Sequence, residues 1–284
     1  MKKTISQLVL DVFKIGFFPT KTTRKSDLAR LISRLRPKST GIKLIRLGPE
    51  GDGGYLVPDD FEGIEACFSP GVSDSSDFEL ACANRGMKVF MADYSVDGPA
   101  ITHENFSFIK KYVGATTSDN FMTINDWVRN SPISPTSDLL LQIDIEGYEY
   151  EAFLSMPDEL LKRFRVIVVE FHRLHHLWSA PFYRLASSAF AKILQTHSCV
   201  HLHPNNCRSS FYMQGIEIPR VMEFTFLRND RFEDYSYESS FPHPLDSDNT
   251  KKTPIRLPEC WYGSRSETLA ALYSEIQVIT GTHF

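Results

Sequence analysis

Asp144 and Glu146 stand two positions apart where the apolar run Leu139-Leu140-Leu141-Gln142-Ile143 ends. In an extended chain residues i and i+2 point to the same side, so the two carboxylates project together. The spacing recurs twice. Glu170 and His172 end the run that begins at Phe164, and His201 and His203 end the one that begins at Cys199. Carboxylates and imidazoles presented in this way can orient a hydroxyl and take its proton, or hold a divalent ion. Near pH 7 a neutral imidazole is a better base than an unperturbed carboxylate. His172 is therefore the expected base, with Asp144 and Glu146 orienting it or contacting a cofactor. Six of the nine histidines fall between 172 and 203, which raises a divalent metal held by Asp144, Glu146, His172 and His203. The metal is not favoured, because no His-Glu-x-x-His motif is present and no four-ligand pattern is complete. Hydrogen-bonded histidines beside a pocket are expected instead.

Such groups must be delivered by strands whose carboxyl ends share one edge. Strand patterns occur at Ile64 to Phe68, Lys88 to Ala92, Phe106 to Val113, Asp138 to Ile145, Phe164 to Phe171, Cys199 to Leu202 and Arg220 to Leu227. Helical patterns lie between them at Ser76 to Arg85, around Trp127, at Tyr148 to Ser155 and at Pro181 to Gln195. Alternation of this kind predicts an α/β, doubly wound, mostly parallel sheet with helices on both faces. In such sheets ligands bind beyond the carboxyl ends of the strands. The first strand runs into Ser69-Pro70-Gly71, where a glycine lets the chain pass close to a ligand, and Asp93 follows 22 positions later at the end of the second strand. An acid at that distance is placed to accept hydrogen bonds from ribose hydroxyls. Upstream, Gly48 to Tyr55 is a strong turn signal inside a β-hairpin.

The segment Ile143-Asp144-Ile145-Glu146-Gly147-Tyr148-Glu149 followed by Phe153-Leu154 resembles the K-I-D-V-E-G-x-E stretch of FkbM-type S-adenosylmethionine-dependent methyltransferases. Thr123-Ile124-Asn125-Asp126-Trp127-Val128 is similar to that family's T-L-D-D-hydrophobic segment, and Val166 to Glu170 to its next strand. Gln142 replaces the family's usual Lys, and Ser69 and Ser75 stand where an acid and a later glycine are common. The resemblance implies a seven-stranded Rossmann-like methyltransferase sheet and S-adenosyl-L-methionine as cofactor. It places Ser69, Gly71, Asp93, Asp144 and Gly53 at the cofactor and His172, Asp144 and Glu146 at the chemistry. The implied reaction is O-methylation of a sugar or other small hydroxylated metabolite. Two readings compete with it. A nucleotide-sugar glycosyltransferase would use the acidic pair to bind metal, and a binding module on a methyltransferase fold would bind without turnover.

A formal net charge of -4 gives no field that would gather nucleic acid. Five cysteines, none in a Cys-x-x-Cys pair, fit a reducing compartment. No apolar run reaches the ~20 residues of a membrane span and no signal peptide is evident, so a cytoplasmic protein is expected. Residues 1–40 read as a helical extension, with Ser26 capping a helix that carries Leu28, Leu31, Ile32 and Leu35 on one stripe. Residues 41–284 read as the α/β domain, with a polar surface excursion at 229–258 and a last helix at Ser266 to Ile276.

Overall fold

The computed structural model of the chain describes residues 20–72 and 75–263. The central sheet has seven strands: β1 Ile64–Pro70, β2 Lys88–Ala92, β3 Phe106–Ile109, β4 Asp138–Ile143, β5 Phe164–Phe171, β6 His197–Pro204 and β7 Met222–Arg228. Their spatial order is β6-β7-β5-β4-β1-β2-β3. All neighbours pair in parallel except β7, which runs antiparallel to both β5 and β6. The chain builds outward from β1 to β3 and then returns to build the other way from β4. The strand order therefore reverses between β1 and β4, where the diverging connections leave a crevice.

The helices are α1 Lys25–Arg34, α2 Asp77–Ala83, α3 Ile124–Asn130, α4 Glu149–Ser155 and α5 Ala180–Ile193. Side-chain alternation splits each strand between two cores. Phe68, Leu139, Leu141, Ile143, Ile167 and Val169 pack with α1, α3, α4 and α5. Cys67, Leu140, Val166 and Val168 pack on the other face. That face is covered by α2 and by a hairpin, Leu44–Leu47 with Tyr55–Pro58, where helices were expected on both sides.

Two of the boundaries that differ from the sequence expectation have a visible local cause. α1 begins at Lys25 with Arg24 at its N-cap, so Ser26 lies inside the helix; Arg24 Nε donates to Asp27 Oδ2 at 2.7 Å across the first turn. β3 ends at Ile109, because Lys110 and Lys111 break the apolar run and the Lys111 N–H turns back to the Ile109 carbonyl. Tyr112–Val113 leaves the sheet and pairs with Phe121–Met122.

Leu28, Leu31, Ile32 and Leu35 of the N-terminal segment are buried in the same core as the sheet. The polar stretch 229–258 is tied down over the ends of β6 and β7. Asn249 Nδ2 donates to Glu223 Oε1 at 2.6 Å, and the Thr250 N–H donates to Asn206 Oδ1 at 2.8 Å. Ser236–Tyr237 pairs with Lys38–Ser39. Residues 1–19 of the expected helical extension and the helix expected at Ser266 to Ile276 lie outside the described residues. No helix among the described residues is long and apolar enough to cross a membrane.

Candidate active site

At the crevice the ends of three strands are laced together by backbone. The Asp144 N–H donates to the Pro70 carbonyl at 3.3 Å, and the Gly71 N–H to the Ala92 carbonyl at 3.0 Å. Gly71 has φ +97°, and a Cβ there would fall 1.6 Å from the Asp144 carbonyl oxygen. Only glycine fits both the torsion and the approach. Above this junction lies a cavity of about 450 Å³ lined by Gly71, Asp93, Ser95, Asp144 and Glu146. Asp93 Oδ1 accepts from the Ser95 N–H and hydroxyl, each at 2.6 Å, which fixes the carboxylate at the end of β2. Tyr112, Phe121 and Tyr148 form an aromatic wall of the cavity, with ring centroids 5.3 and 6.1 Å apart along the series. The sequence reading missed this wall. The three aromatics are scattered over 36 positions, and only the departure of Tyr112 from the sheet brings the first two together.

Two expected cofactor residues sit elsewhere. Ser69 is fully buried beneath the junction, with its hydroxyl between Glu79 Oε1 and Gln142 Oε1. One hydroxyl has one proton, so it donates to one of these and accepts from the other. Burial raises the Glu79 carboxyl above its ordinary pKa, which suits a protonated acid donating to Ser69. Ser69 thus supports the crevice from below, because alternation along β1 turns it into the hairpin-side core. Gly53, at φ +78° in the hairpin turn, is not among the residues that line the cavity. The hairpin reaches the site through Asp52, whose charge helps to raise the Asp144 pKa.

Beside the cavity, β4 and β5 bring Asp144, Glu146, Glu170 and His172 together, with Glu149 from the start of α4. His172 Nδ1 lies 3.1 Å from Glu149 Oε1, while Nε2 lies 3.4 Å from Glu146 Oε2, 3.4 Å from Glu170 Oε1 and 3.9 Å from Asp144 Oδ1. Glu149 is fully buried, and its Oε1 also accepts the Ile145 and Gly147 N–H groups at 3.2 and 2.9 Å. Glu146 at φ +57° and Gly147 at φ +107° make the left-handed turn that leads from β4 into α4. The Tyr150 hydroxyl donates to the His172 carbonyl at 2.7 Å and fixes the end of β5.

Electrostatics follow from this crowding. Burial raises the pKa of Asp144 to about 7, assisted by Glu149, Glu146 and Asp52 against the opposing effect of His172. Burial alone would lower His172, but its hydrogen bond to Glu149 and the charges of Glu149, Asp144 and Glu170 push it up to about 9. Glu170 is raised well above the carboxylate range by burial and by Asp144 and Glu223. Both ring nitrogens face carboxylate oxygens, which favours the protonated imidazole over the neutral one.

The third pair belongs to a different group. His201 Nε2 lies 2.8 Å from Asp246 Oδ1 and His203 Nδ1 lies 3.7 Å from the same atom. His203 faces Glu223 across β6 and β7, and Glu223 faces Glu170 across β7 and β5. His203 is thus separated from His172 by a whole strand and is no co-ligand of it. Among the described residues, ligand-capable atoms of Asp144, Glu149 and His172 lie within 4.8 Å of one another. Glu149 takes the place in that group expected of Glu146 and His203. Its signal, an acid three positions after Glu146 on the first turn of a helix, was legible only as a helix-start charge.

No curated protein matches the chain. Among solved structures, the N-methyltransferase NodS from Bradyrhizobium japonicum is similar at 10% identity over 59% of this chain and 88% of that one, with a TM-score of 0.33. Spermidine synthase from Thermotoga maritima is similar at 9% identity over 81% and 88%, with a TM-score of 0.32. The likeness is remote, and the fold rests on the strand order itself. Residues 72–201, a span from the crevice glycine's neighbour into β6, match the model of the methyltransferase FkbM domain.

Proposed function

We propose that the chain is an S-adenosylmethionine-dependent O-methyltransferase acting on a small hydroxylated acceptor such as a sugar, with the crevice cavity as cofactor site. The observation that carries this reading is the cavity at the β1/β4 reversal, where Gly71, fixed Asp93 and an aromatic wall meet Asp144. These residues fit the cofactor. Asp93 is placed to accept from ribose hydroxyls, Tyr112 and Phe121 offer faces for a planar base, and the close Gly71 backbone leaves room for the chain between them. When bound, S-adenosylmethionine supplies a methyl group on a positively charged sulfur, whose bonding pair stays with sulfur as the acceptor oxygen takes the methyl. Asp144 lines the cavity and adjoins the His172 cluster, so the acceptor hydroxyl is oriented there. His172 and Glu146 hold that hydroxyl in line, and the partly exposed Asp144 carboxylate takes its proton.

Calorimetric titration with S-adenosylhomocysteine tests the cofactor reading. Tight binding is expected, with Asp93→Ala weakening it by about 1.5–3 kcal/mol, the scale of hydrogen bonds to a charged group. Unchanged affinity in a folded Asp93→Ala protein removes Asp93 from the site. Binding of UDP in place of S-adenosylhomocysteine would replace methyl transfer by glycosyl transfer.

A further inference from the structure

We propose that Asp144, Glu149 and His172 hold a divalent cation at the boundary between the cofactor cavity and the acceptor. The inference rests on the methyltransferase reading for its role, and on the cluster alone for its existence.

The first argument is geometric. Two atoms each about 2.1 Å from one ion are separated by about 3.0 Å when adjacent and about 4.2 Å when opposite in an octahedron. One ligand-capable atom from each of the three residues lies within 4.8 Å of the other two. Closing on an ion therefore asks for side-chain shifts of less than about 1 Å, well within rotamer wells.

The second argument is the set of oxygens left without donors. Glu149 is fully buried, yet its Oε2 has no hydrogen-bond partner, and Asp144 Oδ1 is likewise enclosed and unpartnered. Every donor on Glu149, from Ile145, Gly147 and His172, goes to Oε1. A buried carboxylate oxygen with no donor is costly unless a cation meets it. Asp144 Oδ1 lies 3.9 Å from the imidazole Nε2, and Glu146 and Glu170 add further carboxylate oxygens 3.4 Å from the same atom. The mixture of several carboxylates with one imidazole favours a hard ion of the Mg²⁺ or Mn²⁺ class over Zn²⁺ or Cu²⁺.

The third argument is position. Asp144 is shared between this group and the cavity wall, so the ion lies where the acceptor oxygen must approach the transferred methyl. Three protein ligands leave about three positions of an octahedron open. Two neighbouring hydroxyls of one acceptor would fill two of them, which makes a vicinal diol the acceptor class. The ion draws electron density from the bound hydroxyl, while the partly exposed side of Asp144 receives its proton.

The test uses the full chain, stripped with chelator and titrated with Mn²⁺ by calorimetry and electron paramagnetic resonance, with S-adenosylhomocysteine binding measured in parallel. One Mn²⁺ per chain is expected, with spin-echo modulation from a directly bound nitrogen. Asp144→Asn and His172→Ala should weaken it by about tenfold or more, while His203→Ala should leave it unchanged. The nitrogen signal is read on the unaltered protein, so it tests the site even if a variant fails to fold. Absence of Mn²⁺ binding in protein that still binds S-adenosylhomocysteine overturns the metal site and leaves the cofactor reading standing. Binding that lacks the nitrogen signal, or that survives both substitutions, overturns the assignment to these residues. Mn²⁺ binding with the nitrogen signal but no S-adenosylhomocysteine binding keeps the site and removes the methyl-transfer role.

Discussion

Gly71 is where the cavity and the charged cluster touch, and it makes the sharpest single-residue prediction. Its φ of +97° and the 1.6 Å approach of a built Cβ to the Asp144 carbonyl mean that Gly71→Ala must either displace β4's end or break the crevice. A loss of at least about 2 kcal/mol of stability is expected, together with loss of S-adenosylhomocysteine binding. Gly53 provides the contrast. It also has positive φ, at +78°, but a Cβ there meets nothing within 4 Å. Gly53→Ala should therefore cost only the torsional penalty, about 1 kcal/mol. Urea denaturation of the two variants compares them directly, and equal costs would remove the steric argument. Gln142 adds a second lesson at this scale. Its amide donates to the Tyr55 hydroxyl at 3.3 Å and its oxygen meets Ser69, so a neutral side chain serves where the family pattern has Lys. Among the described residues no cation pairs with Glu79, and burial raises its carboxyl.

Among the elements, α1 carries an unexpected share of the core. Leu28 and Leu35 are wholly buried, and Leu31 is 3% exposed. Truncating a buried leucine removes its transfer free energy and leaves a cavity, so Leu31→Ala should cost about 2–4 kcal/mol in chemical denaturation. A near-zero cost would mean that the N-terminal segment is a detachable arm. The hairpin is the second element of note. It occupies the sheet face where a doubly wound fold usually carries helices, and it places Tyr55 and Asp52 over the polar ends of β4 and β5. Tyr55 is raised well above its ordinary pKa by burial and by the charges of Asp144, Glu170 and Glu223. It therefore stays a neutral hydroxyl that can hydrogen-bond Gln142.

Across the whole molecule, the segment 229–258 joins distant parts of the chain through Asp246. Burial would raise that carboxyl, but the hydrogen bond with His201 and the nearby imidazole of His203 outweigh it and hold the group well below the ordinary carboxylate range. A folded-state pKa below the unfolded one contributes stability that is complete above the ordinary carboxylate pKa and drains away as pH falls below it. Asp246→Asn should thus lose about 2 kcal/mol at pH 7 and show a shallower further decline between roughly pH 5 and pH 3. Thermal melts across that range check both slopes, and parallel curves for the two proteins would exclude the linkage. The same segment marks the limit of what the chain's order of residues determines. Apolar runs and their spacing sufficed to locate the seven strands, Gly71 and Asp93 at the ends of the first two, and the meeting of Asp144 with His172. Those features follow from local periodicity and from the rule that parallel strands share a carboxyl edge. The sequence by itself could not separate His203 from His172, because that depends on β7 being inserted between β5 and β6. Nor could it turn Ser69 inward, gather Tyr112, Phe121 and Tyr148 into a wall, or give Glu149 to His172. Each of these is a contact between side chains on different elements. Only the packing of the elements decides which polar atoms are buried together and which of them are left without a partner.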